Sequence, residues 1–93
     1  MKDSKTLDVL RQELIKEGAT SIALFGSAAR GDSTATSDID VLVEFRSPKS
    51  LVDLIRIERE LTQKTRRKID LVTKASLSPY IAEEIAKELV VLA

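Results

Sequence analysis

The stretch FGSAARGDSTATSDIDVLVEF, residues 25–45, holds the end of one apolar segment and the whole of a second. Residues 31–37, between the two segments, are polar and offer no apolar anchor, which is typical of a loop. Side chains alternate along a strand, so Asp38 and Asp40 lie on one face of the second segment, and Ile39, Val41 and Val43 lie on the other, where helices can bury them. The stretch therefore predicts two strands joined by a polar loop, with two carboxylates where the second strand begins.

The rest of the chain supplies helices and further strands. Leucines at spacings of three and four predict the first helix, and Ser50 and Ser78 are in position to cap two later helices. The predicted elements are a helix over 4–17, strands over 20–25 and 39–45, a helix over 51–65, a strand over 68–73, a helix from 79 and a short strand over 90–93.

The order of these elements favours one topology. A helix lies between the second and third strands, so we expect a parallel, right-handed crossover there and an antiparallel first pair. The expected fold class is α/β, a small mixed β-sheet with helices packed against it. The chain has 93 residues and no linker, so we expect a single domain over residues 1–93.

Composition excludes several kinds of site. The chain has 15 basic and 15 acidic residues, so no excess positive charge attracts nucleic acid, and no direct nucleic-acid partner is expected. It has neither cysteine nor histidine, which leaves carboxylates as the only side chains suited to a metal and favours a hard cation. No apolar run approaches membrane-spanning length, so we expect no membrane partner and a cytoplasmic protein.

A third carboxylate follows from the same alternation. Ile69 and Leu71 continue the buried pattern, which places Asp70 on the opposite face of its strand. If that strand neighbours the second one, Asp70 lies on the face of Asp38 and Asp40. Three carboxylates this close repel one another unless a cation is bound, and magnesium is held by such carboxylates together with substrate phosphates.

The residues before the loop fit a phosphate. Gly26 lets a phosphate approach the backbone, Ser27 offers a hydroxyl and an amide, and Arg30 adds a positive charge. A phosphate cradle beside a two-metal site activates an attacking oxygen and stabilises a leaving pyrophosphate. The chemistry indicated is nucleotidyl transfer.

This pattern resembles the signature of the DNA polymerase β nucleotidyltransferase superfamily. The signature is Gly-Ser, about ten residues, Asp-x-Asp and a later acid; here ten residues, 28–37, separate Ser27 from Asp38. More narrowly, GSAARGDSTATSDIDVLV with the later KIDLV resembles the minimal nucleotidyltransferase (MNT) proteins, over essentially the whole chain. The resemblance implies a polymerase β-like nucleotidyltransferase fold.

The resemblance also implies roles for the residues. Asp38 and Asp40 would hold two magnesium ions, Asp70 would hold one of them and help to accept the proton of the attacking hydroxyl, and Gly26 and Ser27 would bind the triphosphate. Many members resemble the antitoxin of HEPN/MNT toxin–antitoxin pairs, in which AMP passes from ATP to a tyrosine of the partner HEPN ribonuclease. A HEPN-type toxin is therefore the expected partner and ATP the expected donor.

Two other functions remain open at this point. One is the same chemistry on a small-molecule acceptor, although enzymes of that kind have an additional domain that shapes the acceptor pocket. The other is an antitoxin that acts by binding and occlusion, with a vestigial or structural metal site. Nucleotide choice is not readable from the sequence, and the chain can equally be a monomer or a homo-oligomer.

The basic segment 49–68 and the aromatic residues are expected to have structural and not functional roles. The segment 49–68 carries seven basic and three acidic residues and is expected to be a solvated helix face. Tyr80, early in a predicted amphipathic helix, is expected to pack rather than to serve as a self-modification site, and Phe25 and Phe45 are expected in the core.

Overall fold

The computed structural model describes residues 4–26, 29 and 38–93. In this part of the chain, helices and strands follow in the order that the sequence predicts, and a short 3-10 turn, Lys74–Ser76, follows the third strand. The elements are α1 (Ser4–Lys16), β1 (Ala19–Phe25), β2 (Ile39–Phe45), α2 (Leu51–Thr65), β3 (Ile69–Thr73), α3 (Pro79–Ala86) and β4 (Val90–Val91).

The strands form one mixed sheet in the order β3-β2-β1-β4. β1 pairs antiparallel with β2 and with β4, and β2 pairs in parallel with β3 through the crossover helix α2. The predicted mixed sheet, antiparallel first pair and parallel crossover are all confirmed. β3 is consequently an edge strand, a position that matters for the site.

The core lies on one face of this sheet, beneath α1 and α2. Leu10 and Leu14 of α1 and Ile57 and Leu61 of α2 are at most 1% exposed. The strand residues that they cover alternate along the chain, as a pleated strand requires. These strand residues are Ile22, Leu24, Ile39, Val41, Val43 and Ile69. The intervening side chains, Asp40 and Asp70 among them, belong to the opposite face.

The start of α2 is fixed by a capping box. The Asp53 amide donates to the Ser50 hydroxyl at 3.1 Å, and the Ser50 amide donates back to the Asp53 carboxylate at 3.4 Å. Hydrogen bonds from Ser50 lower the pKa of Asp53 below its usual value. Two of the backbone amides at the helix start are thereby satisfied, as the spacing predicts.

Part of the basic segment 49–68 forms ion pairs with α1. Lys64 lies 2.9 Å from the Glu13 carboxylate, and Arg56 lies 3.2 Å from Glu17. The hydrogen bond from Lys64 lowers the pKa of Glu13. These pairs are partly exposed, so each contributes little to stability and serves mainly to align the two helices.

The expectation that Tyr80 packs is wrong, because its side chain is 71% exposed. No residue of α3 is fully buried, and only Ala82 and Ile85 are half-buried. Phe45 packs against the core and Phe25 is half-buried, so neither is fully enclosed. None of the helices formed by the described residues is both long enough and apolar enough to span a membrane.

Candidate active site

Asp40 and Asp70 are direct neighbours in the sheet. The parallel β2–β3 register pairs Ile39 with Ile69 and Asp40 with Asp70. Neighbouring strands lie ~4.8 Å apart, and paired residues in register present their side chains on the same face. The sequence predicts that these two carboxylates share a face, and the register brings them side by side.

Asp38 precedes β2 and lies beside the residue that precedes β3. The Ile39 amide donates to the Lys68 carbonyl at 2.9 Å, which extends the pairing of the two strands to their first residues. The Lys68 ammonium lies 3.7 Å from the Asp38 carboxylate, and both side chains are exposed. Asp38 therefore reaches the mouth of the same strand pair, where Lys68 partly balances its charge.

Lys68 is the residue of this site that sequence reasoning missed. In the sequence it is one of seven basic residues in the segment 49–68, a pattern that predicts a solvated helix face. The signal available in the sequence was its place two residues before Asp70. That spacing puts Lys68 on the face of Asp70, just as Asp38 shares the face of Asp40.

Gly26 closes the other side of Asp40. β1 pairs Phe25 with Asp40, so Gly26 follows at the edge of the carboxylate. Its φ is +68°, a conformation that favours glycine, and a Cβ at this position would overlap Asp40 Oδ2 and lie 3.4 Å from its Cγ. Two separate constraints therefore favour glycine here: the positive φ of the backbone and the lack of space for a Cβ beside the Asp40 carboxylate.

The other two residues of the predicted phosphate cradle, Ser27 and Arg30, lie outside the described residues. The phosphate-binding prediction accordingly rests on Gly26, which adjoins the Asp40 carboxylate. α1 and α2 lie on the opposite face of the sheet, so neither helix covers these residues.

The donor set fits a hard divalent cation in its chemistry and only partly in its geometry. Carboxylates are the ligands that magnesium prefers, and Asp40 and Asp70 are placed as a pair. Among residues 4–26, 29 and 38–93, however, no three acidic side chains converge closely enough to hold one metal ion. Of the three predicted ligands, the structure therefore places Asp40 and Asp70 together and leaves Asp38 beside Lys68.

Gly26→Ala is expected to reduce any activity of this site by about 10²-fold, because the new methyl group displaces the Asp40 carboxylate by roughly an ångström. The measurement is the turnover rate of the folded variant. Gly18→Ala is the matched control: its φ is +96°, so the backbone is strained, but its Cβ meets nothing within 4 Å. Equal losses of activity in both variants would show that backbone strain, and not the Asp40 contact, is responsible.

Comparison with known proteins identifies the family. Residues 4–92 match the nucleotidyltransferase domain family. The chain belongs to this family. A Methanocaldococcus jannaschii protein provisionally named a protein adenylyltransferase is 42% identical over 77 residues, 83% of each chain. Protein adenylyltransferase MntA of Thermococcus cleftensis is 38% identical over 73 residues, 78% of this chain and 74% of the relative.

Solved structures share the fold of this nucleotidyltransferase. A crystal structure of a toxin–antitoxin with AMP-PNP matches with a TM-score of 0.85 at 21% identity, over 94% of this chain and 72% of the other. A complex of tri-AMPylated Shewanella oneidensis HEPN toxin with MNT antitoxin matches with a TM-score of 0.80 at 19% identity, over 100% and 72%. The expected nucleotidyltransferase fold is confirmed.

Proposed function

We propose that this nucleotidyltransferase is an antitoxin that transfers AMP from ATP to a tyrosine of a HEPN-type toxin, in the cytoplasm. The observation that carries the proposal is the in-register pairing of Asp40 with Asp70 on the face of the sheet opposite α1 and α2, beside Gly26. The names of its relatives support protein adenylyl transfer. The toxin–antitoxin complexes that share its fold support a HEPN partner and an ATP donor.

In the proposed reaction the tyrosine hydroxyl oxygen attacks the α-phosphorus of ATP. The bond from that phosphorus to the oxygen bridging to the β-phosphate breaks, and pyrophosphate leaves. Asp70 accepts the hydroxyl proton, and Gly26, Ser27 and Arg30 hold the triphosphate. Asp38, Asp40 and Asp70 would together hold two magnesium ions, which supply positive charge to the phosphates and to the leaving group.

The test incubates the chain with labelled ATP, Mg²⁺ and the product of the adjacent gene as the candidate toxin, and follows the mass of that protein. We expect one or more AMP groups on the toxin with the wild-type chain and none with the Asp38→Ala/Asp40→Ala variant. Parallel samples with Mn²⁺, Ca²⁺ or a chelator identify the cation, and samples with GTP, CTP or UTP identify the nucleotide.

Asp8→Ala is the matched control for the loss of an acidic residue. Asp8 lies on α1, across the sheet from the site, and pairs with Arg11 at 3.4 Å. This variant should modify the toxin at the wild-type rate. A wild-type chain that neutralises the toxin without adding mass to it would refute the transferase proposal.

A second candidate is neutralisation by occlusion alone. The observation that favours it is the absence, among the described residues, of three acidic side chains that converge on one metal position. In this case the Asp38→Ala/Asp40→Ala variant would still bind and silence the toxin. Measuring toxin activity and toxin mass in the same samples separates the two functions.

A further inference from the structure

β3 is an edge strand of the sheet that the described residues form, and two side chains of α2 lie along its outer side. The Leu71 amide donates to Glu58 Oε2 at 2.8 Å, and the Ile69 amide donates to Thr62 Oγ1 at 3.3 Å. Every second amide along a strand faces the same side, so the amides of Ile69 and Leu71 are successive donors on the side of β3 that faces away from β2. The residue between them is Asp70.

The two hydrogen bonds fix the strand on both sides of Asp70. The bond to Glu58 is accepted by a carboxylate, and hydrogen bonds of this kind are short and strong. α2 is itself anchored, because Ile57 and Leu61, adjacent to the two acceptors, are 1% exposed and belong to the core. Movement of β3 along or away from β2 must therefore break contacts with an anchored helix.

Other acidic residues of α2 have different partners. Glu60 pairs with Arg56 at 3.3 Å, and Asp53 belongs to the capping box. Glu58 is half-buried and directs its carboxylate at the backbone of β3. Its position is explained by the strand that it holds and not by a surface ion pair.

We propose that Glu58 and Thr62 are positioning residues that keep Asp70 in register with Asp40. The inference rests on the proposed function, because it assigns the two side chains a part in the activity of that same site. Neither residue touches the substrate. Their contribution is the alignment of the two carboxylates, and so the affinity of the pair for a divalent cation.

The test compares Glu58→Ala, Glu58→Gln and Thr62→Val with the wild-type chain. Glu58→Ala is expected to lower kcat for AMP transfer by about 10-fold to 100-fold and to raise the half-saturating Mg²⁺ concentration by a similar factor. KM for the toxin should stay unchanged. Glu58→Gln should restore most of the activity, because its amide carbonyl accepts the same hydrogen bond.

Amide hydrogen exchange gives a readout that needs neither metal nor nucleotide. Exchange at Leu71 should be faster in Glu58→Ala and near the wild-type rate in Glu58→Gln, and exchange at Ile69 should be faster in Thr62→Val. Glu60→Ala is the matched control, since it removes an acidic side chain from the same helix without touching β3. It should change neither the exchange rates nor the Mg²⁺ dependence.

The outcomes separate this inference from the proposed function. If Asp70→Asn abolishes transfer while Glu58→Ala keeps the wild-type kcat and Mg²⁺ dependence, the positioning role is refuted and the proposed function stands. The positioning role would also be refuted if the activity lost in Glu58→Ala were only proportional to the fraction of the variant that fails to fold. If the wild-type chain transfers no AMP, the positioning role and the proposed function are both refuted. Should Glu58→Ala not fold, Thr62→Val decides by the same measurements.

Discussion

Asp70→Asn is expected to reduce AMP transfer to the toxin by about 10³-fold, the equivalent of roughly 4 kcal/mol in the activation free energy. Asparagine has nearly the shape of aspartate but carries no charge. It is therefore a poor ligand for a hard cation and cannot accept the proton of the attacking hydroxyl. The measurement is single-turnover transfer of labelled AMP at saturating ATP.

Two observations check the assignment of Asp70. The free energy of unfolding should hardly change, because Asp70 is exposed and its strand is held through backbone groups. Asp8→Asn, on the far side of the sheet, should retain full activity. Transfer by Asp70→Asn at a rate near that of the wild type would remove Asp70 from the catalytic site and leave Asp38 and Asp40 as the candidate ligands.

Leu61→Ala is expected to lower the free energy of unfolding by about 2–5 kcal/mol. Leu61 is 1% exposed in the layer where α2 meets the sheet, so its removal loses apolar burial and leaves a cavity. Domains have ~0.05–0.15 kcal/mol of stability per residue, so in a chain of 93 residues this is a large share of the total. Urea unfolding monitored by circular dichroism measures it.

The matched control for this loss is on the same helix. Leu51 lies at the start of α2 and is 73% exposed, so Leu51→Ala removes the same atoms from a solvated position. Its unfolding midpoint should stay close to that of the wild type. If the two variants were equally destabilised, the loss would reflect helix propensity and not the packing of α2 on the sheet.

The parts of the fold that follow from local patterning were predicted. The alternation of Ile39, Val41 and Val43 identified the buried face of β2, and the capping box identified the start of α2. The same alternation put Asp40 and Asp70 on one face. The crossover rule then made their strands parallel neighbours, which the register confirms.

The remaining features depend on contacts between segments that are far apart in the sequence, and local sequence patterns do not predict such contacts. Lys68 looks like one more surface cation until the pairing of Ile39 with Ile69 places it opposite Asp38. Glu58 reads as a solvated helix residue until the outer edge of β3 is found beside it. The exposure of Tyr80 could not be predicted, because an amphipathic pattern shows that a helix has an apolar face but not which of its side chains contact the rest of the fold.

The crossover from β2 through α2 to β3 means that one continuous segment of the chain forms the pair of Asp40 and Asp70. Both carboxylates, the helix that joins their strands and the side chains that hold β3 come from residues 38–73. β4 lies at the far edge of the sheet, beyond β1. Additional chain joined at that edge would enlarge the protein without separating the two aspartates. The fold can therefore be extended at the β4 edge while the candidate active site stays unchanged.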